Sequence, residues 1–362
     1  MKKILSTTAL VSATLLAGVN IASAQTTVTG QLDLGYKALA SKSNTVASAK
    51  AKSYNTFTRE SQINVGYKGK LSNGIDFAAG FSWEVDGNEA VATASFGENT
   101  YLDFTMGNTT LTISADHIQN PDFEITNISG GKSDIDDVIS GAAGTISLAS
   151  THKTTTANSA YSGHGVGLIQ NFGVAKASIY YAPNRTAGAA TADNTSDVTR
   201  GSAESGNSQV EFLVDGDFGV KGARAFYYQG KSKSDVPGTA AVASDLTGKK
   251  YGASYNFGQI TLAASKSDVQ STSNIDAATK SFSAAYAVNK DLVVSLVKST
   301  TSADGTSTTT AGTTATETLK GINIGYNLGP VTLNTWYVDG NDVGGTAGND
   351  GKALMFITTT KF

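Results

Sequence analysis

The residue types that most often carry out catalysis or bind metals are scarce in this chain. There is no cysteine, and the three histidines, His117, His152 and His164, do not lie at a metal-type spacing from one another. Serines are abundant, but no motif selects a serine and a histidine as a nucleophile and its base. The sequence therefore predicts that the protein is not an enzyme and that it needs no cofactor.

Acidic side chains are concentrated in one polar segment, roughly residues 117–159, where five acids and one base lie between His117 and Gly144. These carboxylates could offer oxygen ligands to Ca²⁺, although they show no regular ligand spacing. In a narrow passage they would instead attract cations and repel anions. A plain solvated surface loop is the third interpretation. The charged residues of this segment and its border are Asp116, Asp122, Glu124, Lys132, Asp134, Asp136 and Asp137.

Composition and patterning exclude two further classes of protein. The formal net charge is −3, so nothing favours binding to a polyanion such as nucleic acid. After the first 24 residues, the longest apolar run is 284–288, far short of the roughly 20 residues that a membrane-spanning helix needs. Residues 1–24 carry Lys2 and Lys3, an apolar stretch and the small-x-small run Ala22-Ser23-Ala24, which together predict a cleavable export signal.

The rest of the chain alternates apolar and polar residues with a period of two, as a strand does when its faces meet different media. In residues 27–38 the even positions are mainly apolar and the odd positions mainly polar. Residues 63–85 repeat this pattern on both sides of Asn73-Gly74, a pair that suits a tight hairpin because both residues tolerate positive φ. We therefore predict an all-β chain of antiparallel hairpins.

Short and long connections alternate strictly along the chain. The predicted tight turns are 73–74, 107–108, 171–173, 215–219, 257–259, 288–291 and 328–330. The predicted long loops are 40–56, 87–98, 117–159, 183–206, 230–248, 267–279, 299–316 and 338–351. Together they predict sixteen strands in up-and-down order. An even number of strands can close into a barrel without edges, and strands of about 9 to 12 residues can cross a bilayer at a tilt.

With these hairpins in place, the chain resembles the general diffusion porins of Gram-negative bacteria. The resemblance rests on the export signal, the strand number, Phe362, the segment Val65-Gly66-Tyr67-Lys68-Gly69 before the first turn, and a third loop longer than the others. It implies one transmembrane antiparallel up-and-down β-barrel domain over residues 25–362, with short periplasmic turns and long extracellular loops. It also implies an outer-membrane homotrimer in contact with lipid and lipopolysaccharide, and a water-filled pore for small hydrophilic solutes, narrowed by the third loop.

The resemblance also points to residues of the pore. Porins of this family often oppose the acidic third loop with arginines on the barrel wall, but the two matching positions here are the uncharged Asn64 and Tyr101. We expect this departure to favour cations. Phe362 is expected to be the aromatic residue that the barrel-assembly machinery recognises. The alternation places further charged residues on the lumen wall, namely Asp33, Lys68, Glu84, Asp103 and Arg224.

Two other functions stay open at the level of the sequence. A substrate-specific channel would line its lumen with an aromatic track, and Tyr101, Phe226 and Tyr228 have the parity for one without forming a recognisable track. A secreted β-rich adhesin would suit the loops rich in Thr, Ser and Ala, but it predicts neither a lipid-facing band nor an inward-folded loop. In the last strand, Met355 and Ile357 interrupt the alternation by placing apolar groups on the expected wet face.

Overall fold

The computed structural model of the protein describes residues 25–42, 52–87, 93–114, 165–182, 207–234, 246–271, 276–304, 316–343 and 347–362. The predicted export signal (1–24), the three histidines and the predicted constriction loop (117–159) with its charged residues lie outside the described residues. Within those ranges, no helix has the length and apolar character needed to cross a membrane.

The described residues form sixteen strands. In chain order they are β1 (Gln25–Lys42), β2 (Lys52–Lys70), β3 (Asp76–Gly87), β4 (Thr93–Met106), β5 (Thr109–Ser114), β6 (Gly165–Asn171), β7 (Ala175–Ala182), β8 (Asn207–Gly216), β9 (Ala223–Ser234), β10 (Leu246–Phe257), β11 (Ile260–Ser271), β12 (Asp276–Ala287), β13 (Leu292–Asp304), β14 (Glu317–Asn327), β15 (Val331–Asn341) and β16 (Asp350–Lys361).

These strands close into a single barrel. Each strand pairs antiparallel with its neighbours in sequence, and β1 also pairs with β16 from Gln31 opposite Lys361 to Lys42 opposite Asp350. Closure leaves no strand edge exposed to pair with another chain. The predicted sixteen-strand, up-and-down, antiparallel barrel is therefore confirmed.

Three of the seven short turns share the sequence Asn-x-Gly. In each, the glycine has a φ of about 82 to 87°, a conformation that costs residues with a Cβ far more than glycine. The backbone N–H of the glycine donates to the asparagine Oδ1 at 2.8 to 2.9 Å, so the side chain closes the turn locally. These turns are Asn171 to Gly173, Asn256 to Gly258, and Asn327 to Gly329.

Several strands extend further into the predicted long loops than their polar composition suggested. β1 and β2 contain 18 and 19 residues, and residues 267–271 and 276–279, predicted as loop, belong to β11 and β12. A tilted strand needs only about 9 to 11 residues to cross the bilayer, so the extra residues lie beyond it. There both faces meet water, and polar residues on both faces are compatible with a strand.

Burial follows the predicted period of two. In β14 the inner-face residues Leu319, Gly321 and Asn323 are buried, whereas Ile322 and Ile324 between them are exposed on the outer face. The same arrangement on the other strands leaves large apolar side chains exposed around the barrel. Because a soluble protein rarely exposes a continuous apolar surface of this extent, the outer face is the one that meets lipid.

Aromatic rings cover glycines on neighbouring strands at four places in the wall. At each glycine an added Cβ would overlap the ring, so the absence of a side chain there creates the space that the ring fills. Contacts of this kind compensate for the packing that a glycine in a strand lacks. The four contacts are Phe362 over Gly30, Tyr101 over Gly80, Tyr180 over Gly165 and Phe226 over Gly252.

The contact of Phe362 with Gly30 gives a prediction about the β1–β16 seam. The Gly30 N–H donates to the Phe362 carbonyl at 2.6 Å, and the Phe362 N–H donates to the Gly30 carbonyl at 3.0 Å. Gly30→Val places a side chain where the ring lies. We expect it to lower the free energy of unfolding by about 1 to 3 kcal/mol, as overpacking does elsewhere, in urea titrations of the folded barrel in lipid vesicles.

A double-mutant cycle provides the control for this prediction. In a Phe362→Ala background the ring is absent, so Gly30→Val should cost much less than it does in the natural chain. If the two substitutions lower the free energy of unfolding additively, overlap with the ring is not the cause.

Candidate functional site

The inner face of β1–β3 carries a cluster of carboxylates. Asp33 of β1 lies directly opposite Glu60 of β2, and Gln62 of β2 lies opposite Glu84 of β3. Asp33 is 6% exposed, so its carboxylate is held within the wall and does not extend freely into the lumen. The cluster concentrates negative charge on one wall of the barrel.

Neutral side chains donate hydrogen bonds to these carboxylates. Gln31 Nε2 donates to Asp33 Oδ2 at 2.8 Å, and the Thr359 hydroxyl donates to Asp33 Oδ1 across the β1–β16 seam. In the next pair of strands, Gln62 Nε2 donates to Glu84 Oε1. Because amides and hydroxyls carry no charge, these bonds orient the carboxylates without neutralising them.

The two positions where the resemblance would place arginine, Asn64 and Tyr101, both have side chains on the inner face. The ring of Tyr101 lies over Gly80, its direct partner on β3. Asp103 follows on the same face of β4, and one of its carboxylate oxygens is buried in the wall. Neither Asn64 nor Tyr101 therefore supplies a positive charge between the carboxylates of β1–β3 and Asp103.

A second polar group lies on the inner face of β8 and β9. Arg224 Nε and Nη2 donate to the two carboxylate oxygens of Asp215, each at 3.0 Å. Close by, the Tyr228 hydroxyl donates to the buried Glu211 at 3.0 Å. The sequence pattern offered Arg224 as a basic group of the lumen wall, but a carboxylate on the adjacent strand balances its charge locally.

One sector of the inner wall is apolar. Met355 and Ile357 of β16 are buried on the inner face and belong to one cluster with Trp336 and Val338 of β15. The alternation of β16 is therefore intact in its geometry, and only the polarity of its inner residues departs from the expected pattern. The other members of the cluster are Leu39, Val297, Leu319, Val343 and Ala353.

The structure brings some of the predicted wall residues together and separates others. Asp33 and Glu84 share the carboxylate cluster, whereas Arg224 lies on β9 with its own carboxylate partner. Lys68 is exposed near the periplasmic end of β2. Their roles in permeation stay predictions, as do those of Asn64, Tyr101 and Asp103.

Sequence reasoning missed several charged residues of this wall. Glu60, Glu211 and Lys37 have the inner-face parity of their strands, so the alternation that identified their neighbours could have found them. Asp215 was predicted to start a turn, but it lies within β8. Its pairing with Arg224 depends on the β8–β9 register, for which the sequence offered no signal.

The described inner wall offers fixed charges and dipoles along a passage. In the ranges that the structure describes, no group of three or more His, Asp or Glu residues is placed to hold a metal ion. Charges fixed in a confined passage act on mobile ions through their field, without any bond being made or broken. The wall is therefore suited to sorting solutes by charge.

Comparison with known proteins finds similar porins. The sequence model described as Gram-negative porin matches residues 6–345, and no curated protein matches the sequence significantly. Among solved structures, an anion-selective porin from Comamonas acidovorans is similar with a TM-score of 0.62 and 15% identity, covering 94% of this chain and 100% of that one. At such identities the likeness shows the fold alone.

Two further solved structures share the fold. A trimer form of OmpT, an outer membrane protein of Vibrio cholerae, has a TM-score of 0.56 and 11% identity, covering 94% of this chain and 100% of that one. A mutant of the porin from Rh. blastica has a TM-score of 0.57 and 13% identity, covering 93% of this chain and 100% of that one.

Two adjacent tyrosines test how strongly the inner-wall hydrogen bonds stabilise the barrel. Tyr228→Phe removes the donor to the buried Glu211, and we expect it to lower the free energy of unfolding by about 1 to 3 kcal/mol. Tyr227→Phe is the matched control, because Tyr227 donates to Gln229 on the exposed outer face and should change stability by less than about 0.5 kcal/mol. Equal losses in urea titrations would contradict this difference between the two faces.

Proposed function

The chain belongs to the Gram-negative porin family, and from that premise we propose that it forms a water-filled channel for the passive diffusion of small hydrophilic solutes and ions, with a preference for cations. Family and fold together place the barrel in the outer membrane and indicate a channel rather than an enzyme. The selectivity and the passive mechanism are the parts that we propose.

The carboxylate cluster on β1–β3 carries the proposal of cation preference. Asp33, Glu60 and Glu84 lie on adjacent strands of one wall. Arg224, a basic residue of the wall, is paired with Asp215. At short range this carboxylate offsets the electric field of the arginine in the lumen. The three carboxylates of the cluster outnumber Lys37, which lies on the same face of β1. A local excess of fixed negative charge raises the concentration of cations in the passage.

The acidic residues of the predicted third loop would also favour cations. Its acids Asp134, Asp136 and Asp137 would add negative charge at the narrowest part of the lumen if the loop folds inward, as the family resemblance implies. With uncharged residues at Asn64 and Tyr101, the wall would not oppose that charge with arginines. We therefore expect a weak transverse field and easier passage of cations.

The rival functions are less well supported. Phe226 and Tyr228, which a substrate-specific aromatic track would need, are only 4% and 2% exposed, so a passing solute would find little of their rings to contact. A secreted adhesin is disfavoured by the family match and by the closed barrel with its apolar outer face. A passive channel is the simplest function that remains.

Measurement of the reversal potential in a planar bilayer under a salt gradient tests the proposed selectivity. The natural protein should pass potassium more readily than chloride. Asn64→Arg restores a cation at a position where the resemblance expects one, and it should lower the ratio of potassium to chloride permeability by roughly twofold or more, because the added charge lies on the lumen wall.

Ser72→Arg is the matched control for Asn64→Arg. It adds the same charge on the exposed turn between β2 and β3, outside the lumen, and should leave the permeability ratio close to that of the natural protein. A natural protein that prefers chloride would refute the proposed selectivity, and a protein that does not conduct would refute the channel itself.

We also propose that three copies assemble into a homotrimer. One similar structure, OmpT of Vibrio cholerae, is described as a trimer form, and the outer face of β3–β8 offers an apolar surface for subunit contact. On a gel in sodium dodecyl sulfate, the unheated protein should migrate near three times the mass of the heated chain. Migration of the unheated, folded protein as a single barrel would contradict the trimer.

The barrel-assembly machinery is the remaining proposed partner, with Phe362 as the residue that it recognises. Phe362 is 74% exposed, so most of its ring is accessible even though one side packs over Gly30. An exposed aromatic ring at the periplasmic end of a strand is available to a periplasmic receptor. We expect Phe362→Ala to reduce insertion into the outer membrane in cells but to leave refolding into vesicles in vitro unchanged. This combination would show that the ring acts in recognition by the machinery and not through packing.

A further inference from the structure

Lysines recur on the outer face of the second half of the barrel, where the other outward residues are mainly apolar. In each of β11 to β14, the three outward positions nearest the short turn are apolar and the fourth is a lysine. β9, β10 and β16 have an outward lysine at a similar place. We name these residues the lysine belt, and its members are Lys231, Lys249, Lys266, Lys280, Lys298, Lys320 and Lys352.

Two pairs of lysines in the belt lie directly opposite each other. Lys266 faces Lys280 across the β11–β12 pair, and Lys298 faces Lys320 across the β13–β14 pair. Directly opposed side chains on one face of a sheet have Cβ atoms about 4.5 to 5.5 Å apart, where like charges repel. Such an arrangement is stable when an anion lies between the two ammonium groups.

Acidic residues of the outer wall balance only part of the positive charge of the lysine belt. Asp268 Oδ1 lies 2.8 Å from Lys266 Nζ, and Asp339 of β15 lies between Lys320 and Lys352 in the register. Among the outward side chains that the structure describes on these strands, seven lysines therefore face two aspartates, and Lys280, Lys298, Lys320 and Lys352 are exposed. The remaining positive charge is available to an anion from outside the protein.

The position of the belt indicates the membrane interface on the side of the long loops. An outward lysine costs about 2 to 4 kcal/mol at the middle of a bilayer and close to nothing at its edge. The long lysine stem can also lie along the apolar surface while the ammonium group reaches the headgroups. Seven such residues at the far end of the apolar band therefore mark the boundary with the headgroups of the outer leaflet.

The described outer faces of β3 to β8 carry no such belt. Among the side chains that the structure describes on β3 to β8, the outward ones are uncharged, for example Phe81, Leu111, Val166, Ile179 and Phe212. The belt is thus confined to one side of the molecule. That side is the one left facing lipid if the uncharged side contacts neighbouring subunits.

We propose that the lysine belt binds the phosphate groups of lipopolysaccharide in the outer leaflet. The ligand must combine phosphates, which bridge opposed lysines, with acyl chains, which lie against the apolar residues below them. A phosphorylated glycolipid has both parts in the same order along the membrane normal. The proposal depends on the outer-membrane location of the barrel and is independent of the ion selectivity proposed above.

Native mass spectrometry of the folded protein in detergent, titrated with diphosphoryl lipid A, tests the belt. Lys298→Gln with Lys320→Gln removes one opposed pair, and we expect lipid A binding to weaken roughly thirtyfold, since each lysine near an anionic surface contributes about fivefold. Lys221→Gln with Lys290→Gln is the matched control, because both lysines lie on short turns at the opposite end. That control should bind lipid A as the natural protein does.

Two further measurements distinguish an effect of charge from a change in structure, and binding of the lipid from binding of a free anion. Lys298→Arg with Lys320→Arg keeps the charge and should keep the binding. In the natural protein, higher ionic strength should weaken binding, and inorganic phosphate at the same concentration as lipid A should not compete with it. Single-channel conductance of each preparation tests the channel separately, so either proposal can fail alone.

Three results would overturn the lysine belt as a lipopolysaccharide site. The first is unchanged lipid A binding by the glutamine variant, and the second is equal loss of binding by the control at the short turns. The third is full competition by inorganic phosphate, which would reduce the site to a general anion site. If the glutamine variant fails to fold, the salt dependence of lipid A binding by the natural protein provides the test. Binding that does not change with ionic strength would exclude the charge of the lysines as its cause.

Discussion

The structure depends on one constraint, the pairing of every backbone N–H and C=O within a medium that offers no water. In a bilayer an unpaired backbone group costs several kcal/mol, so a spanning sheet must close on itself. Here closure is made between β1 and β16, where Gly30 and Phe362 exchange two backbone hydrogen bonds. Because Gly30 has no side chain, the Phe362 ring can pack over it at the seam, and a ring packed over a glycine recurs elsewhere in the wall.

Closure separates two surfaces that follow the same alternation but meet different media. The outer surface is apolar and ends in the lysine belt, whereas the inner surface carries the carboxylates on β1–β3 and the paired Asp215 and Arg224. Side chains of both signs can occupy the inner wall, because water or a neighbouring charge solvates them there. On the outer wall, charge is tolerated only at the boundary with headgroups. The proposed ion selectivity and the proposed lipid binding therefore depend on separate surfaces.

Local patterns explain why the sequence predicted the strands and turns well. The period of two and the Asn-x-Gly turns act over a few residues, so no knowledge of distant contacts is needed to recognise them. The prediction was wrong at the strand ends, for example in residues 267–271 and 276–279, because polar residues were read as loop where strands extend into water. It also placed Asp215 in a turn, since polarity alone does not distinguish the last residues of a strand from a loop.

The sequence alone determined the class of barrel, the number of strands, the short-turn and long-loop sides and the face on which each side chain lies, because these follow from local periodicity. Only the tertiary structure decided which residues meet across strands. The register placed Glu60 opposite Asp33, Arg224 beside Asp215 and Lys298 opposite Lys320. Register is set by hydrogen bonds between residues distant in sequence, and a shift of two residues would keep every side chain on its face while changing every partner.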